Sequence, residues 1–388
     1  MTMPLVSLEK TNAGILLAKM FSNMEQSVSS TAQYSPCLLL AMPPSWGNRF
    51  QSLQYTEAGP MCYVVAGVTC ENVLAGVLRS VSWPGPVILH AHWFAAAFEG
   101  CICDQHAMEV LEHLIDEIED FKTRTGAKLL WTAHNIFPHG NMFPETFLKL
   151  RQWIFKSFDA VHLLQASHRS VLERAFGCRA AHYFVCPHML YIGSTPDCVS
   201  AEAAKIRYGI QTETFVFAFF GSIQPYKNVH SFIEAVDRIA SKYPRKICAL
   251  VGGMPSDISY VGELLNKWQG TPHVKLFFEK VPDHELQYIH RAADAIVLPY
   301  NESLNSGAAM MAASFGKPII MPAGLPAEAV QNLGAVLADD ASSASLEKAL
   351  RLVLDGTRNN YDVNVQQALM PVPVSRCFFA SLNELLGR

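Results

Sequence analysis

The sequence predicts an α/β protein with two doubly wound parallel sheets. Apolar runs of strand length alternate with longer amphipathic stretches, which is typical of βαβ units around a buried parallel sheet. The chain has 388 residues, enough for two domains of ordinary size. The alternation pauses once, in a stretch rich in turn-forming residues at 187–200, and then starts again.

Runs with the length and composition of buried strands lie on both sides of this pause. Those before it are Cys37–Met42, 61–65, 87–90, 128–131, 160–164 and 181–185. Those after it are Phe215–Phe220, 247–251, 274–278, 295–298, 318–321 and Ala335–Ala338. Residues 108–125 predict a long helix with apolar side chains on one face and acidic ones on the other. We expect domains at 1–192 and 193–374, followed by a last helix at 375–388.

Composition and charge exclude several classes of protein. Half of the residues are hydrophobic and 16% are charged, which supports packed cores and excludes a largely disordered chain. The chain has 30 Lys and Arg against 34 Asp and Glu and no basic run, which argues against a nucleic-acid partner. No apolar run reaches the roughly 18 residues of a membrane span. With no evident secretion signal and ten irregularly spaced cysteines, we expect a cytoplasmic chain.

Histidines follow two of the predicted strands at the point where each strand ends. Because ligands bind outside the carboxyl ends of parallel strands, these side chains predict a polar cleft lined by imidazoles. Imidazoles can donate to sugar hydroxyls or phosphate, or act as bases near neutral pH. The alternative is that each is a hydrogen-bonded histidine at a strand end. The histidines are His90, His92, His134 and His139, with Trp93 and Asn135 beside them.

A glycine loop follows the first predicted strand of the second half. It carries Gly221, Ser222, Gln224 and Lys227 and leads into an amphipathic helix. A glycine directly after a strand lets the backbone approach an anion closely, and a lysine at the mouth of the helix adds positive charge. The pattern suits a diphosphate. The alternative is a solvated loop with an exposed lysine.

A second polar segment, containing Glu302, Ser303 and Asn305, runs into an apolar helix at Ser306 and Gly307. Small residues at a helix N-terminus leave amide groups and the positive end of the helix dipole for an anion. We expect this helix start and the lysine of the glycine loop to face one phosphate group from two sides. The alternative is a capped helix that only packs against the sheet.

The order of these segments resembles a known family. The segments are His90-x-His92-Trp93, Trp131-Thr132-x-His134-Asn135-x-x-Pro138-His139, Phe220-Gly221-x-Ile223-x-Pro225-Tyr226-Lys227, Asp294-x4-Pro299-Tyr300-x-x-Ser303-Leu304-Asn305-Ser306-Gly307 and Phe315-Gly316-Lys317-Pro318. The pattern resembles GT-B glycosyltransferases, and it is most similar to their family-four-like branch and to bacterial exopolysaccharide mannosyltransferases. The resemblance covers roughly residues 36–388.

The resemblance implies two Rossmann-like domains that face a central cleft. The N-terminal domain would bind the acceptor and the C-terminal domain the nucleotide-sugar donor, with the last helix returning to the first domain. By position, His134 would contact the donor sugar, Lys227 the diphosphate, and Ser306 and Gly307 the distal phosphate. The donor side would also include Gly221, Ser222, Gln224, Glu279, Val281, Glu302, Ser303 and Asn305, with Glu279 and Val281 beside the base. The acceptor side would include Asn48, His90, Trp93, Asn135 and His139.

Several positions depart from the family pattern. Ser303 and Met311 stand where many members carry two glutamates. Ser222 stands where an arginine commonly follows the glycine, and Gln224 where close relatives tend to have arginine. With a single cation at the diphosphate, stabilisation of the leaving group would depend on the helix dipole.

The resemblance implies a metal-independent hexosyltransferase that needs no cofactor and uses a GDP- or UDP-sugar, with mannose as one candidate. The acceptor would be a glycan or polyprenyl-linked oligosaccharide in exopolysaccharide synthesis. Lys227 is a predicted catalytic residue, and His92 or His134 is the predicted base of an inverting reaction. A retaining reaction needs no such base, and the choice between the two stays open.

Two other functions are alternatives. A sugar-nucleotide epimerase of the same plan would need acid and base carboxylates, for which Asp104, Glu145 and Glu302 are the candidates. A non-catalytic relative that binds nucleotide or glycan would fit the missing arginine and glutamates.

A further expectation is peripheral contact with the cytoplasmic face of the inner membrane. Trp153, Phe155 and Lys156, close to Arg151, would supply exposed aromatic and basic side chains for an anionic surface. A helix packed against the sheet would explain the same residues.

Overall fold

The chain divides into two compact units. The computed structural model describes residues 35–44, 49–60, 62–138, 140, 142–357 and 361–388. The described residues up to Pro187, together with Val374–Arg388, form the first unit, and His188–Pro373 form the second. Within these described ranges no helix is long and apolar enough to cross a membrane.

The first unit is built on a six-stranded sheet whose neighbouring strands are all parallel. The strand order is β2-β1-β3-β4-β5-β6, so the sheet changes its direction of growth between β1 and β3. The carboxyl ends of two such strands diverge and leave a crevice, where open α/β sheets bind ligands. The strands are β1 (Cys37–Met42), β2 (Cys62–Ala66), β3 (Val87–Ala91), β4 (Lys128–Thr132), β5 (Ala160–Leu163) and β6 (Tyr183–Val185).

Helices connect and cover these strands. They are α1 (Phe50–Gln54), α2 (Cys70–Leu74), α3 (Asp104–Thr125), α4 (Pro144–Ser157) and α5 (His168–Phe176), with 3-10 turns at Val77–Ser80 and Ala95–Phe98. Helix α3 buries Leu111, Leu114 and Ile118 against the sheet, as its apolar stripe predicts. The prediction that its acids lie on the opposite face is wrong for Glu117, which is 3% exposed and pairs with Arg79. A buried carboxylate keeps its charge when a guanidinium neutralises it.

The second unit repeats the plan with a second parallel sheet. Its order, β12-β11-β10-β7-β8-β9, changes direction between β7 and β10. This is the strand order of dinucleotide-binding Rossmann folds, read from β9 to β12. The strands are β7 (Phe215–Phe220), β8 (Ile247–Gly252), β9 (Val274–Phe277), β10 (Ala295–Val297), β11 (Ile319–Pro322) and β12 (Ala335–Ala338).

The remaining helices belong mostly to the second unit. They are α6 (Ala201–Arg207), α7 (Val229–Ala240), α8 (Ile258–Trp268), α9 (Leu286–Ala292), α10 (Gly307–Ser314), α11 (Leu325–Glu328), α12 (Ser343–Leu354), α13 (Val363–Ala368) and α14 (Pro371–Leu385), with 3-10 turns at Pro225–Lys227 and Asp283–Glu285. From Val374 onward, α14 is part of the first unit. There Phe378 is fully buried and stacks on His90, with 5.2 Å between ring centroids.

The α/β class and both doubly wound sheets are confirmed. Every strand predicted from an apolar run is present, and no predicted end differs from the observed end by more than two residues. The apolar runs are continuous rather than alternating because the central strands are covered on both faces: every residue of β1, β3 and β8 is buried.

The expectation of exposed aromatic and basic side chains on α4 is wrong for Phe155 and Arg151, whereas Lys156 is exposed and Trp153 is half-buried. Phe155 and Arg151 are 1% and 2% exposed, and the Arg151 guanidinium lies 4.6 Å from the centre of the Trp131 ring. Arg151 Nε also donates to the carbonyl oxygen of Ile136. Phe155 and Arg151 therefore give no support to contact with a membrane surface.

Candidate functional site

In each unit, side chains predicted from the sequence lie at the sheet edge where the strand order changes direction. In the first unit, His90 lies near the end of β3, next to β1, and Thr132 is the last residue of the neighbouring β4. In the second unit, Gly221 follows β7, and the segment that leads into α10 follows β10. The predicted residues therefore lie at the sheet edges where ligands bind in open α/β sheets.

A hydrogen-bonded set of side chains fills the edge in the first unit. Tyr55 is the residue directly after α1. Its hydroxyl lies 2.7 Å from His90 Nδ1 and 2.8 Å from His92 Nε2. The other nitrogen of His92, Nδ1, lies 2.9 Å from His134 Nε2. The two predicted histidine segments are thus in direct contact through the pair His92 and His134.

The same set continues in the opposite direction, into the sheet. His90 Nε2 lies 2.7 Å from the Thr132 hydroxyl, which lies 2.9 Å from His162 Nδ1. His162 Nε2 lies 2.9 Å from the backbone carbonyl oxygen of Cys186. We call Tyr55, His90, His92, Thr132, His134 and His162 the histidine network.

Most of the histidine network has no contact with solvent. His90 is fully buried, and His92 and His162 are each 1% exposed. Burial, followed by the neighbouring histidines, holds the pKa of His90 and of His92 well below its usual range. Burial also raises the pKa of the Tyr55 hydroxyl. At neutral pH these groups are therefore uncharged and act only through hydrogen bonds.

His134 is the member of the network with exposed surface. Its side chain is half-buried, and the Trp93 ring stacks on it at 4.3 Å between centroids. Phe50 meets the same ring edge-on at 4.7 Å. Asn135, also half-buried, follows it in the chain. The two aromatic rings restrict the orientation of the imidazole, which a group that exchanges protons with a ligand requires.

The other residues predicted at this edge are less available to a ligand or lie outside the described residues. Both ring nitrogens of His90 and of His92 are hydrogen-bonded inside the protein, so neither ring has surface or nitrogen with which to touch a ligand. Of the two predicted bases, His134 is therefore the one whose position suits the role. Asn48 and His139, predicted on the acceptor side, lie outside the described residues.

In the second unit, the glycine loop holds a lysine against two aromatic rings. Lys227 ends the 3-10 turn after β7, and its ammonium lies 3.8 Å from the centre of the Tyr300 ring and 5.0 Å from that of Tyr226. Among the described residues no carboxylate forms an ion pair with it. Burial lowers the pKa of this ammonium, and the Tyr226 hydroxyl partly opposes the shift. The ammonium is thus oriented by the ring faces and by the Tyr226 hydroxyl.

Close backbone packing shapes the loop before this lysine. Gly221 has φ 149°, and its amide donates to the carbonyl of Gly252 at 3.2 Å. A Cβ on Gly253 would lie 1.7 Å from the carbonyl oxygen of Gly221. Only glycine fits there, because the ends of β7 and β8 run against each other. Ser222 lies beside the Tyr226 hydroxyl, and Gln224 precedes the 3-10 turn.

The start of α10 lies beside the hydroxyl group of Tyr300. The Ser306 hydroxyl caps the helix by accepting from the amide of Ala309 at 3.2 Å. The first amides of the helix, beginning with Gly307, have no acceptor within the helix itself. A Cβ on Gly307 would lie 3.3 Å from the Tyr191 hydroxyl, so a larger side chain would crowd this point. The helix start is therefore closely packed on the side of Tyr191.

Tyr300 connects the two halves of this predicted anion site. Its ring carries the Lys227 ammonium, and its buried hydroxyl lies beside the Ser306 side chain. That hydroxyl makes no hydrogen bond of normal geometry with any described residue. The Asn301 amide donates to the Tyr226 carbonyl at 3.0 Å, which ties the two loops together. Lys227 and the start of α10 therefore lie on the same side of their unit, as the sequence predicts.

The remaining predicted donor residues lie on two stretches of the second unit, one after β9 and one before α10. Glu279 and Val281 follow β9, two strands from β7, which is about 10 Å by the usual strand spacing. Glu302 is exposed on the loop before α10. Ser303 and Asn305 lie on the same loop, where the Ser303 hydroxyl donates to the Asn305 carbonyl at 2.6 Å. Their roles stay predictions.

Sequence reasoning missed several residues at both edges. Tyr55, Thr132 and His162 complete the histidine network, and Tyr300 and Tyr191 frame the start of α10. One signal was available for His162: a titratable side chain in the middle of an apolar strand is expensive to bury unless it is hydrogen-bonded. Nothing in the sequence links Tyr55 to His90 and His92, which are 35 and 37 residues away.

Two of the three carboxylates considered for an epimerase lie at exposed helix starts of the first unit. Asp104 and Glu145 are exposed in the first turns of α3 and α4, where acids interact favourably with the helix dipole. Glu302 belongs to the other unit. Within the described ranges, no three His, Cys, Asp or Glu side chains converge in a way that could hold a metal ion.

Comparison with protein families identifies part of the chain. Residues 200–368 match the family Glycosyl transferases group 1. D-inositol 3-phosphate glycosyltransferases of Corynebacterium efficiens and Corynebacterium glutamicum are 30% and 29% identical over 163 residues. Each match covers 40% of this chain and 38% or 39% of the relative, so the alignment spans about two fifths of the curated relatives' length.

Solved structures resemble nearly the whole chain. HepE from Anabaena in complex with UDP-glucose has a TM-score of 0.66 at 14% identity, covering 89% of this chain and 99% of that chain. HepE in complex with UDP gives 0.65 at 14% identity, over 90% of this chain and 100% of that one. A glycosyltransferase from Rickettsia africae gives 0.65 at 12% identity, over 91% and 99%. The fold is therefore GT-B.

Proposed function

We propose, from the premise that residues 200–368 are a glycosyl transferases group 1 domain, that the chain is a glycosyltransferase. It moves a sugar from a nucleotide diphosphate sugar to a hydroxyl group of a glycan or lipid-linked oligosaccharide. A hexose such as mannose, and a place in exopolysaccharide synthesis, are the finer parts of the proposal. They come from the pattern of segments in the sequence.

The observation that carries the proposal is the arrangement around Tyr300. Among the described residues, a lysine ammonium on its ring face with no paired carboxylate and a capped helix start at Ser306 converge there. The buried Tyr300 hydroxyl between them makes no hydrogen bond of normal geometry with a described residue. Breaking the bond between sugar and diphosphate leaves negative charge on the diphosphate. Groups aimed at that charge lower the barrier more than they stabilise the bound substrate.

The donor is a UDP- or GDP-sugar in this proposal. HepE is known in complex with UDP and with UDP-glucose, and this favours UDP as the first nucleotide to test. We place the diphosphate between Lys227 and the amides of Gly307, which would neutralise it without a metal ion. With Ser222 in place of an arginine, Lys227 is the cation that the loop offers.

The acceptor half of the reaction is assigned to the first unit. His134 combines partial exposure, a neighbouring Trp93 ring and a hydrogen-bonded Nε2, which suits a group that contacts a sugar or removes a proton from a hydroxyl. Trp93 and Asn135 would contact the acceptor beside it. An inverting reaction would use His134 as the base, and a retaining one would use it to hold the sugar.

A panel of nucleotide sugars tests the proposal. Purified chain is incubated with UDP- and GDP-linked hexoses, and release of free nucleotide is measured with and without a polyprenyl-linked acceptor. We expect one donor to be saturable and consumed. Binding of UDP or GDP without consumption of any donor would instead favour a non-catalytic relative, an outcome that the replacement of the family arginine by Ser222 makes worth resolving.

A further inference from the structure

The donor and acceptor roles within the histidine network can be worked out from its inner end. A backbone carbonyl oxygen can only accept, so His162 must donate to Cys186 through Nε2–H. Neutral imidazole carries one proton, and His162 Nδ1 must therefore accept. Thr132 consequently donates its hydroxyl proton to His162 and can accept from His90 Nε2.

The same logic runs outward to the exposed end. Because His90 donates through Nε2, its Nδ1 accepts the hydroxyl proton of Tyr55. The Tyr55 oxygen then accepts from His92 Nε2, which leaves His92 Nδ1 to accept from His134 Nε2. Each ring is fixed by the one before it, and all four carry their proton on Nε2.

Two further observations support this direction. The side-chain amide nitrogen of Gln54, which can only donate, lies 3.3 Å from the same His162 Nδ1 and so identifies that atom as an acceptor. The opposite direction would put protons on both nitrogens of His162 while that ring is 1% exposed. A buried imidazolium carries a large desolvation cost.

We propose that Tyr55, Thr132 and His162 are positioning residues that hold His90, His92 and His134 in the Nε2–H tautomer and so make Nδ1 the basic nitrogen of His134. The tautomer assignment stands on the hydrogen bonds alone. Its consequence for catalysis rests on the proposed function, because it requires a substrate at His134.

The network orients His134 and does not carry protons away from it. At the inner end, the backbone carbonyl of Cys186 carries no proton and cannot take one up at neutral pH. Burial disfavours the imidazolium form of the rings between the two ends. A proton taken by His134 Nδ1 therefore stays on His134, where every hydrogen bond of the network remains intact.

Nitrogen NMR of the full chain labelled with 15N-histidine tests the assignment. Protonated and unprotonated ring nitrogens differ clearly in chemical shift, so the spectrum reports each tautomer directly. At neutral pH we expect His90, His92, His134 and His162 each to show a protonated Nε2 and an unprotonated Nδ1. A protonated Nδ1 on any of the four neutral rings would overturn the proposal.

Two variants cut the network at different points. Tyr55→Phe removes the link between His90 and His92, so we expect mixed tautomers at His92 and His134 but not at His90 and His162. Thr132→Val cuts closer to the anchor, and we expect mixing at His90 as well. Thr132→Ser keeps the hydroxyl and should restore the wild-type spectrum.

The pattern across the variants decides the matter. A purely structural role would disturb all four rings or none, irrespective of the side of the cut on which they lie. Single tautomers at His134 in both Tyr55→Phe and Thr132→Val would contradict the proposal. Mixing confined to the outer side of each cut would support it.

Kinetics measured on the same variants separate this inference from the proposed function. If half of the His134 rings lose the competent tautomer, kcat for sugar transfer should fall by roughly twofold while KM for the donor stays unchanged, because rate follows the competent fraction. The expected tautomers in a chain that transfers no sugar would defeat the proposed function alone. Transfer that is unaffected by mixed tautomers at His134 would defeat the catalytic part of this inference alone.

Discussion

The two sheet edges at which the strand direction changes have opposite electrostatic characters. In the first unit the edge is filled by neutral imidazoles and hydroxyls that satisfy one another, and burial keeps His90 and His92 uncharged. In the second unit the edge holds an ammonium on aromatic faces beside a helix start. We propose that one sheet plan supports a proton-accepting edge in one unit and an anion-binding edge in the other.

The difference arises from the residues that follow each strand. Polar side chains that pair with each other can be buried at little cost, so the first edge becomes a closed network with one exposed member. At the second edge the polar groups are a cation and backbone amides, which cannot pair with each other. They retain their capacity to bind a ligand. The predictions below test this contrast.

Replacement of His134 should have the largest effect on activity. His134→Ala removes the exposed member of the histidine network, and we expect kcat for sugar transfer to fall by roughly 10²- to 10⁴-fold, the usual contribution of a positioned general base. Binding of UDP or GDP, measured by calorimetry, should be unchanged because the nucleotide is assigned to the other unit. His106→Ala, an exposed histidine of the same unit, is the control. Full activity in His134→Ala would remove the base from the proposal.

Replacement of Lys227 should weaken both binding and turnover. Lys227→Ala removes the ammonium from the face of Tyr300, and we expect kcat/KM to fall by roughly 10²- to 10³-fold, as for loss of one group that stabilises developing charge. Lys242→Ala, an exposed lysine of the same unit, should behave as wild type. Equal losses in the two variants would point to a general effect of charge on the surface, against a specific anion site.

Acid should destabilise the second unit through two buried neutral histidines. Burial lowers the pKa of His188 and of His290 to about 4 in the folded chain, below the usual 6.5. Between these values the unfolded chain binds more protons than the folded one, so stability falls as pH falls. Each ring contributes about 1.4 kcal/mol per pH unit over that window. Urea unfolding at pH 7 and pH 5 measures the change, and equal stability at both would contradict the burial of neutral rings.

The smallest expected effect concerns the cap of α10. Ser306→Ala should lower the free energy of unfolding by about 1 kcal/mol through loss of the cap. Ser342→Ala, which removes the cap of α12 in the same unit, should cost about the same. We expect only Ser306→Ala to weaken UDP or GDP binding, since only α10 begins beside Tyr300. Parallel losses of affinity would make the start of α10 an ordinary helix end.

The sequence predicts the fold almost completely because buried parallel strands leave continuous apolar runs. It also predicts that Lys227 and the start of α10 lie together, since both follow strands that end at the same edge of one sheet. The histidine segments are found for the same reason. The sequence predicts less well which side chains of a helix are buried. Glu117 and Arg151 are buried because each has a polar partner that the periodicity of the helix does not reveal.

What the sequence does not reveal is which polar side chains pair with each other. His90 and His92 look like ligand-facing histidines in the sequence, yet Tyr55 and Thr132 occupy their nitrogens. The partners are distant in the chain, and a hydroxyl in an apolar run has no distinctive pattern. Tyr300 is likewise read as part of a motif, while its connecting role depends on three-dimensional contact with Lys227.

A structure of the chain with UDP or GDP bound tests the central claim most directly. The account predicts oxygens of the distal phosphate about 2.7–2.9 Å from Lys227 Nζ, the normal length of a charge-assisted hydrogen bond, and within hydrogen-bond distance of the Gly307 amide. A diphosphate that binds elsewhere in the second unit, with Lys227 still resting on the Tyr300 ring and no phosphate beside it, would contradict the account.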